Sequence, residues 1–257
     1  MYRLPVSGLE VVLRQPTGAE DLLLQETSVA NAELALALVR RLAQPVEGTA
    51  LDWQALSVTD LEALLLKIRQ MVFGDLIQAD VRCTAQDCGA RVDVSFGVGE
   101  YLAHHRPRAP RGLKPADETG WFQFLNEGIR FRLPSGADQA MVAGKPQAES
   151  QLMRRCVQPE EISWRLRKRV EDTMEVLAPS LSHDVQGECP DCHATLSIYF
   201  DVQDYVLREL RNQAACVYED VHLLALHYKW SEESILALPR SRRLHYAMTL
   251  RQERGAG

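Results

Sequence analysis

The sequence predicts an α+β fold in which one strand–helix–cysteine-loop–strand unit occurs twice, followed by a helical extension at the C-terminus. Two cysteine pairs, Cys83/Cys88 and Cys189/Cys192, are each followed by an alternating apolar segment. Aligning Cys88 on Cys192 places valine on leucine, valine on isoleucine and phenylalanine on phenylalanine. The segment LRQPTGAE at 13–20 also resembles FRLPSGAD at 131–138. Repeats constrain architecture, and two copies suit a pseudo-twofold domain better than a solenoid.

The first half of the chain contains clear start and stop signals for its elements. Residues 9–14 predict a strand that ends before Pro16 and Gly18. Residues 17–20 have capping-box spacing, and a clearer helix is predicted over 29–42. A second capping-box pattern opens a helix over 59–72 with one apolar stripe, Leu61, Leu64, Leu65, Ile68 and Val72. Strands at 79–82 and 91–96 flank the first cysteine pair.

The second half repeats this order after a proline- and arginine-rich stretch at 104–120, which predicts a linker. The later elements expected are a hairpin (121–124 with 128–133), a helix (160–177), a strand (195–200), one long amphipathic helix (202–228), a short helix from Ser231 and a terminal helix (241–252). The predicted organisation is a first unit at 1–105, a linker and hairpin start at 106–127, a second unit at 128–208 and the helical extension at 209–257.

Composition excludes several classes of protein. The chain of 257 residues is 46% hydrophobic and 25% charged, which is typical of a globular protein. It has no apolar run of the ~20 residues that span a bilayer, and its N-terminus lacks a signal-peptide core. We therefore expect no membrane partner and a cytoplasmic location, where cysteines stay reduced. The net charge of −6 argues against nucleic acid as a partner, because phosphate binding needs a basic face.

The four paired cysteines predict one structural Zn²⁺ site made by Cys83, Cys88, Cys189 and Cys192. A thiolate pair on a short loop supplies half of a tetrahedral site, so two such loops supply a whole one. The alternative is that these are four small apolar core residues, although polar loop residues between them disfavour it. His193, His104 and His105 are alternative ligands, whereas Cys156 and Cys216 are expected to be buried small residues.

Catalysis is not expected from this sequence. A catalytic zinc usually keeps an open position and mixes in histidine or carboxylate, which a four-thiolate set does not provide. The two Pro-Thr/Ser-Gly segments lack the additional glycines and the lysine of a phosphate loop, and no Ser/His/Asp grouping stands out. The sequence therefore predicts that the protein is not an enzyme.

The C-terminal extension predicts a docking surface for another protein. It combines the side-chain types that predominate at binding hot spots, which are Tyr228, Trp230, Arg240, Arg242, Arg243 and Tyr246. Two alternatives remain open at this point. The arginines suit a solvated helix face, and the aromatic residues suit packing beneath the last helix.

The chain resembles the T4-type phage baseplate hub assembly family, found also in related contractile injection systems. The resemblance rests on a Leu-Pro-x-Ser-Gly start at 4–8, the Thr-Gly-Ala-Glu turn, a leucine-rich helix ending KIRQMVFGD at 67–75, and ADVRC at 79–83 leading to Cys88-Gly89-Ala90. It is clearest over 1–102 and weaker over 128–208. The segment 228–240 is similar to short tail-assembly segments of phage proteins. The first cysteine loop has four intervening residues rather than two, and His193 replaces a glycine.

This resemblance implies structural or chaperone-like assembly work at a baseplate hub, with other baseplate and hub proteins as partners and without catalysis. It implies function in the cytoplasm of a bacterial host cell, and it is compatible with incorporation in the finished particle. The competing class is a zinc-ribbon nucleic-acid-binding protein, which the acidic balance of the chain disfavours.

Overall fold

The computed structural model describes residues 1–46, 51–125 and 128–255, with side chains as far as residue 253. Residues 126–127 of the predicted linker segment and 256–257 of the predicted extension lie outside the described residues. The described chain is a mixed α/β structure that ends in a helical region.

The chain begins with a three-stranded antiparallel sheet and three helices. Strand β1 (Tyr2–Arg3) pairs with β2 (Glu10–Leu13), which pairs with β3 (Ala43–Pro45). The helices are α1 (Gly18–Glu26), α2 (Ala32–Leu42) and α3 (Val58–Phe73). Helix α2 begins three residues later than predicted because the Asn31 side chain accepts from the Leu34 backbone N–H and caps it.

Two separate antiparallel hairpins carry the cysteine loops. Strand β4 (Leu76–Arg82) pairs with β5 (Arg91–Gly97), and helix α4 (Val98–His104) follows. The second hairpin is made by two later strands, β10 (His183–Glu188) and β11 (Thr195–Phe200). The predicted strands on both sides of the first cysteine pair and after the second are therefore confirmed.

A four-stranded antiparallel sheet lies between the two hairpins in sequence. It consists of β6 (Leu113–Pro115), β7 (Trp121–Phe124), β8 (Arg130–Arg132) and β9 (Val157–Gln158). The predicted hairpin is confirmed as β7 and β8. The predicted linker differs from expectation because it contains β6, an edge strand, where Pro115 does not interrupt a central ladder. Three helices complete this part, α5 (Gly136–Val142), α6 (Ala148–Cys156) and α7 (Trp164–Leu177).

The predicted single long helix at 202–228 is wrong. The chain forms α8 (Val202–Ala214) and α9 (Val217–Tyr228), separated at Ala215 and Cys216. The two helices bury their apolar faces in different places, since Leu207 and Leu210 join the main core and Leu223 and Leu224 join a C-terminal cluster. One straight helix could not place its apolar residues in both the main core and the C-terminal cluster. Helices α10 (Glu232–Leu236) and α11 (Arg240–Gly255) complete the extension.

The main core is built around α3. Its predicted stripe is buried except for Val72, which is partly buried. Ala63 and Leu66 on other faces are also buried, because α3 is covered on several sides. Residues from the second hairpin and α8, including Phe200 and Val206, join the same core. The first and second predicted units thus share one apolar interior, from which the two cysteine hairpins extend.

Candidate metal centre

The two cysteine loops have closely similar backbone structures. In the first, the Cys83 N–H donates to the Ala90 carbonyl at 2.8 Å, and in the second the Cys189 N–H donates to the Ala194 carbonyl at 2.9 Å. The residue after the last cysteine has a positive φ in both loops, +60° at Gly89 and +59° at His193. Glycine adopts this left-handed conformation without strain, whereas histidine does so at a cost.

The structure brings the four paired cysteines together. The Sγ atoms of Cys83 and Cys192 are 3.7 Å apart, and those of Cys88 and Cys189 are 3.8 Å apart. All four sulfur atoms lie within 4.8 Å of one another. Four sulfurs bound at about 2.3 Å around a tetrahedral zinc lie about 3.8 Å from each other. The sulfur positions therefore fit a tetrahedral metal ion, and each close pair joins one hairpin to the other.

The electrostatics of the cluster favour a cation at its centre. The pKa of the Cys189 thiol is lowered to about 7. The main cause is a hydrogen bond from the backbone N–H of Cys192, which burial partly offsets and the N–H of Asp191 reinforces. The Ala90 amide also lowers the pKa of Cys88, but its neighbouring sulfurs and burial outweigh it and raise that pKa to about 12. Four adjacent thiols cannot all ionise in the absence of a compensating positive charge, which a divalent metal ion supplies.

The packing around the four sulfurs is sparse. Cys83 and Cys189 are buried with Val92 and Leu196, and a few partly buried alanines and Val81 surround them. This cluster is separate from the main core. The hairpin ends consequently have little apolar surface with which to hold each other, and the sulfur cluster is the main contact available to them.

The other residues considered as ligands lie elsewhere. Among the described residues, the four cysteines form the one group of histidine, cysteine or acidic side chains close enough to share an ion. His193 contacts Glu188 at the exposed end of the hairpin, with 2.6 Å between Nδ1 and Oε1. The His105 ring instead lies tilted against the rings of Tyr101 and His183, with 4.5 Å and 4.6 Å between centroids. Cys156 is buried as predicted, but the prediction for Cys216 is wrong because it is exposed between α8 and α9.

The predicted docking residues divide into two groups. The rings of Tyr228 and Trp230 stack with 4.8 Å between centroids, and the Tyr246 ring meets Trp230 edge-on at 5.4 Å. Trp230 and Tyr246 are half-buried against the C-terminal cluster, whereas Tyr228 and Arg242 are exposed. The aromatic residues thus form one group that packs the extension and leaves part of its surface accessible.

Arg240 and Arg243 do not lie on a docking surface, which corrects the prediction for these two residues. Their exposed fractions are 5% and 0%. Arg240 Nε donates to Asp21 at 2.7 Å, Arg243 also pairs with Asp21, and Arg243 Nε approaches Asp220 at 3.3 Å. Buried guanidinium groups require carboxylate partners, and these two are provided by α1 and α9. Their role in this structure is to hold α11 against the rest of the chain.

Sequence reasoning missed the two carboxylates in this network. Asp21 and Asp220 are both fully buried. Asp21 lies in the first turn of α1, where acidic residues are common, so its position alone gave no sign of burial. The available signal was Asp220, which lies one helical turn before Leu224 on the apolar face of a predicted helix.

The structure is a mixed α/β protein with a helical C-terminal region and a four-cysteine cluster able to hold a metal ion. The family described as T4 bacteriophage base plate protein matches residues 1–163, and the chain belongs to this family. The resemblance found in the sequence is thereby confirmed. No curated protein and no solved structure matches the chain. Across the described residues, every helix is too short or too polar to span a membrane.

Proposed function

We propose that this protein is a non-catalytic component of the baseplate hub of a contractile phage tail or phage-like injection system, acting in its assembly or structure. Membership of the base plate family, with a match over residues 1–163, is the observation that carries this proposal. Its partners on this account are other baseplate and hub proteins, and it acts in the cytoplasm of the bacterial host cell, where it is incorporated into the assembling particle.

A single structural Zn²⁺ bound by Cys83, Cys88, Cys189 and Cys192 is part of the proposal. Zinc is favoured over harder cations because thiolates are soft ligands, and four sulfurs at tetrahedral spacing suit it. The ion would neutralise the thiolates and join the β4–β5 hairpin to the β10–β11 hairpin. A closed site of four protein ligands leaves no position for a substrate, which supports a structural role rather than catalysis.

We also propose that the chain arose by internal duplication. Supporting this, Arg14 Nη2 donates to Glu20 at 2.8 Å at the start of α1, and Arg132 Nη2 donates to Asp138 at 2.9 Å at the start of α5. Each acid also accepts from the backbone N–H of its helix cap, Thr17 or Ser135. The shared cysteine-loop geometry points the same way. Zinc would then be the link between two copies of one unit.

The aromatic group of the extension is the proposed contact for a baseplate partner. Tyr228 is exposed at the end of α9 and Arg242 is exposed on α11, so both are available to another chain. Tyrosine and arginine contribute strongly to binding when a partner covers them. Trp230 holds the group in place through its stacked contact with Tyr228.

Complementation of a tail-assembly defect tests the proposed function. A phage or injection-system strain that lacks this gene receives either the wild-type gene, Cys189→Ser, or Cys216→Ser as the matched control for loss of a thiol outside the cluster. We expect wild type and Cys216→Ser to restore complete baseplates in electron micrographs and Cys189→Ser to fail. Normal baseplates in the strain that lacks the gene would contradict the assembly role.

Co-purification of baseplate components tests the docking assignment. Tagged wild-type protein should retain a hub component, and Tyr228→Ala should retain much less of it while remaining folded, with only the small decrease in melting temperature expected from the loss of its ring contacts. Trp164→Ala is the matched control, because Trp164 is 74% exposed and lies on α7 rather than in the extension. Equal retention by both variants would refute a docking role for Tyr228.

A further inference from the structure

A cleft of about 580 Å³ lies between helices of the first and second halves of the chain. Its walls come from the start of α2, from α5 and α6, and from the β11–α8 junction. Several lining residues are aliphatic, among them Ala32, Val142 and Leu152. The cleft is remote from the cysteine loops, none of whose residues line it.

One carboxylate lies at the base of this cleft. Glu62 of α3 is 2% exposed, and its Oε1 atom accepts from Ser182 Oγ at 3.0 Å and from Gln203 Nε2 at 3.2 Å. Gln203 Nε2 also donates to Gln139 Oε1 at 2.8 Å, which fixes the amide. The other carboxylate oxygen, Oε2, is buried and has no partner at hydrogen-bond geometry among the described residues, with the Leu181 backbone as the nearby group that also acts on this carboxylate. A buried acceptor left in this state is costly, and a donor placed in the cleft removes the cost.

The charges around the cleft favour a positively charged occupant. Its lining includes Glu62, Glu149, Asp201 and Asp204, and none of the described lining residues is basic. Some of this negative charge is offset locally, since Asp201 caps α8 and Asp204 lies 3.5 Å from Arg208. Glu62 lies directly after the first turn of α3 and has no cationic partner among the described residues.

We propose that this cleft binds an alkyl chain ending in an ammonium or guanidinium group, which donates to Glu62 Oε2 while its methylene groups contact the aliphatic walls. A cleft with a carboxylate at its bottom and apolar walls matches such amphipathic cations, whose methylene chains pack on apolar surface. Charged donors form the strongest hydrogen bonds with carboxylates. The occupant is either a free amine such as agmatine or an arginine or lysine side chain of a protein partner.

The proposal carries a pH dependence. Burial raises the pKa of Glu62 to about 7, against the lowering effect of its hydrogen bonds from Ser182 and Gln203. A cation binds the ionised carboxylate, so its affinity should increase as pH rises through 7. The other titratable groups facing this part of the structure are Tyr101, Glu149, Tyr199, Asp201 and Asp204.

Calorimetric titration of the full-length protein with agmatine tests the proposal. We expect saturable binding below about 10 mM, tighter at pH 8 than at pH 6, and at least about tenfold weaker for Glu62→Gln. Glu100→Gln is the matched control, because Glu100 is an exposed residue that does not line the cleft. The pH comparison uses the wild-type protein alone, so it remains decisive even if Glu62→Gln disturbs the fold.

Two further probes identify the source of the cation. Acetylarginine amide carries peptide groups on its backbone, so binding at least as tight as that of agmatine supports a protein side chain as the occupant. Binding of agmatine alone supports a free amine. The neutral analogue acetylcitrulline amide should not bind. Absence of saturable binding, equal binding by Glu62→Gln, or equal binding of the citrulline derivative would overturn the proposal.

Discussion

Replacing Asp21 with alanine should strongly destabilise the protein. Both carboxylate oxygens of Asp21 are engaged by buried arginines, Oδ1 by Arg240 and Oδ2 by Arg243. Removing one partner of a buried ion pair typically costs about 3–5 kcal/mol. The upper part of this range applies here, because Arg240 would lose its carboxylate. The Nη1 atoms of Arg240 and Arg243 already lack a hydrogen-bond partner among the described residues.

Urea and thermal unfolding of Asp21→Ala provide the assay. A loss of about 3–5 kcal/mol corresponds to a decrease in melting temperature of roughly 6–20 °C for a chain of this size. Arg242→Ala is the control, since this neighbouring arginine is exposed and its removal should change stability by no more than about 0.5 kcal/mol. A loss below about 1 kcal/mol for Asp21→Ala would show that the buried network does not hold the extension to α1.

Three further perturbations test other parts of the structure. Gly18→Ala should lower the free energy of unfolding by about 1–3 kcal/mol, because the added Cβ would lie 2.8 Å from the Leu236 backbone. Gly136→Ala should lower it less, since the closest contacts of its Cβ would be side chains. A larger loss for Gly136→Ala in urea unfolding would contradict this packing. Cys189→Ser should lower the melting temperature and Cys216→Ser should not, because a bound metal ion contributes to the free energy of folding. Equal melting curves would show that the cysteine cluster does not contribute to folding stability. The pKa of Glu62 is raised in the folded state, so its ionisation opposes folding above pH 7, and this effect disappears as pH falls toward 4.5. Wild type should therefore gain stability relative to Glu62→Gln, by up to about 3 kcal/mol, when the pH is lowered from 8 to 5. Parallel plots of stability against pH for the two proteins would refute the raised pKa.

The sequence was most informative where local chemistry determines structure. The two cysteine loops, the strand after each of them, the apolar stripe of α3 and the capping-box start of α1 depend on short-range spacing and caps. These features were predicted from the residues alone. The cysteine cluster was predicted because paired thiols at ligand spacing have few other uses in the reducing compartment that we expected for this chain.

Features that depend on long-range packing were not predictable in the same way. The break between α8 and α9 arises because neighbouring stretches of one amphipathic pattern pack into different clusters. Arg240 and Arg243 have the spacing of a solvated helix face, and only their distant partners Asp21 and Asp220 make them interior residues. The unpaired oxygen of Glu62 likewise depends on Ser182 and Gln203, which are far away in sequence.

Metal content measured by native mass spectrometry is the most direct test of the central claim. The account predicts one Zn²⁺ per chain, bound with all four paired cysteines protected from alkylation, and loss of the ion in Cys189→Ser but not in Cys216→Ser. Protein that folds with no zinc, that binds two ions per chain, or that retains its zinc in Cys189→Ser would contradict a single site shared between the two hairpins.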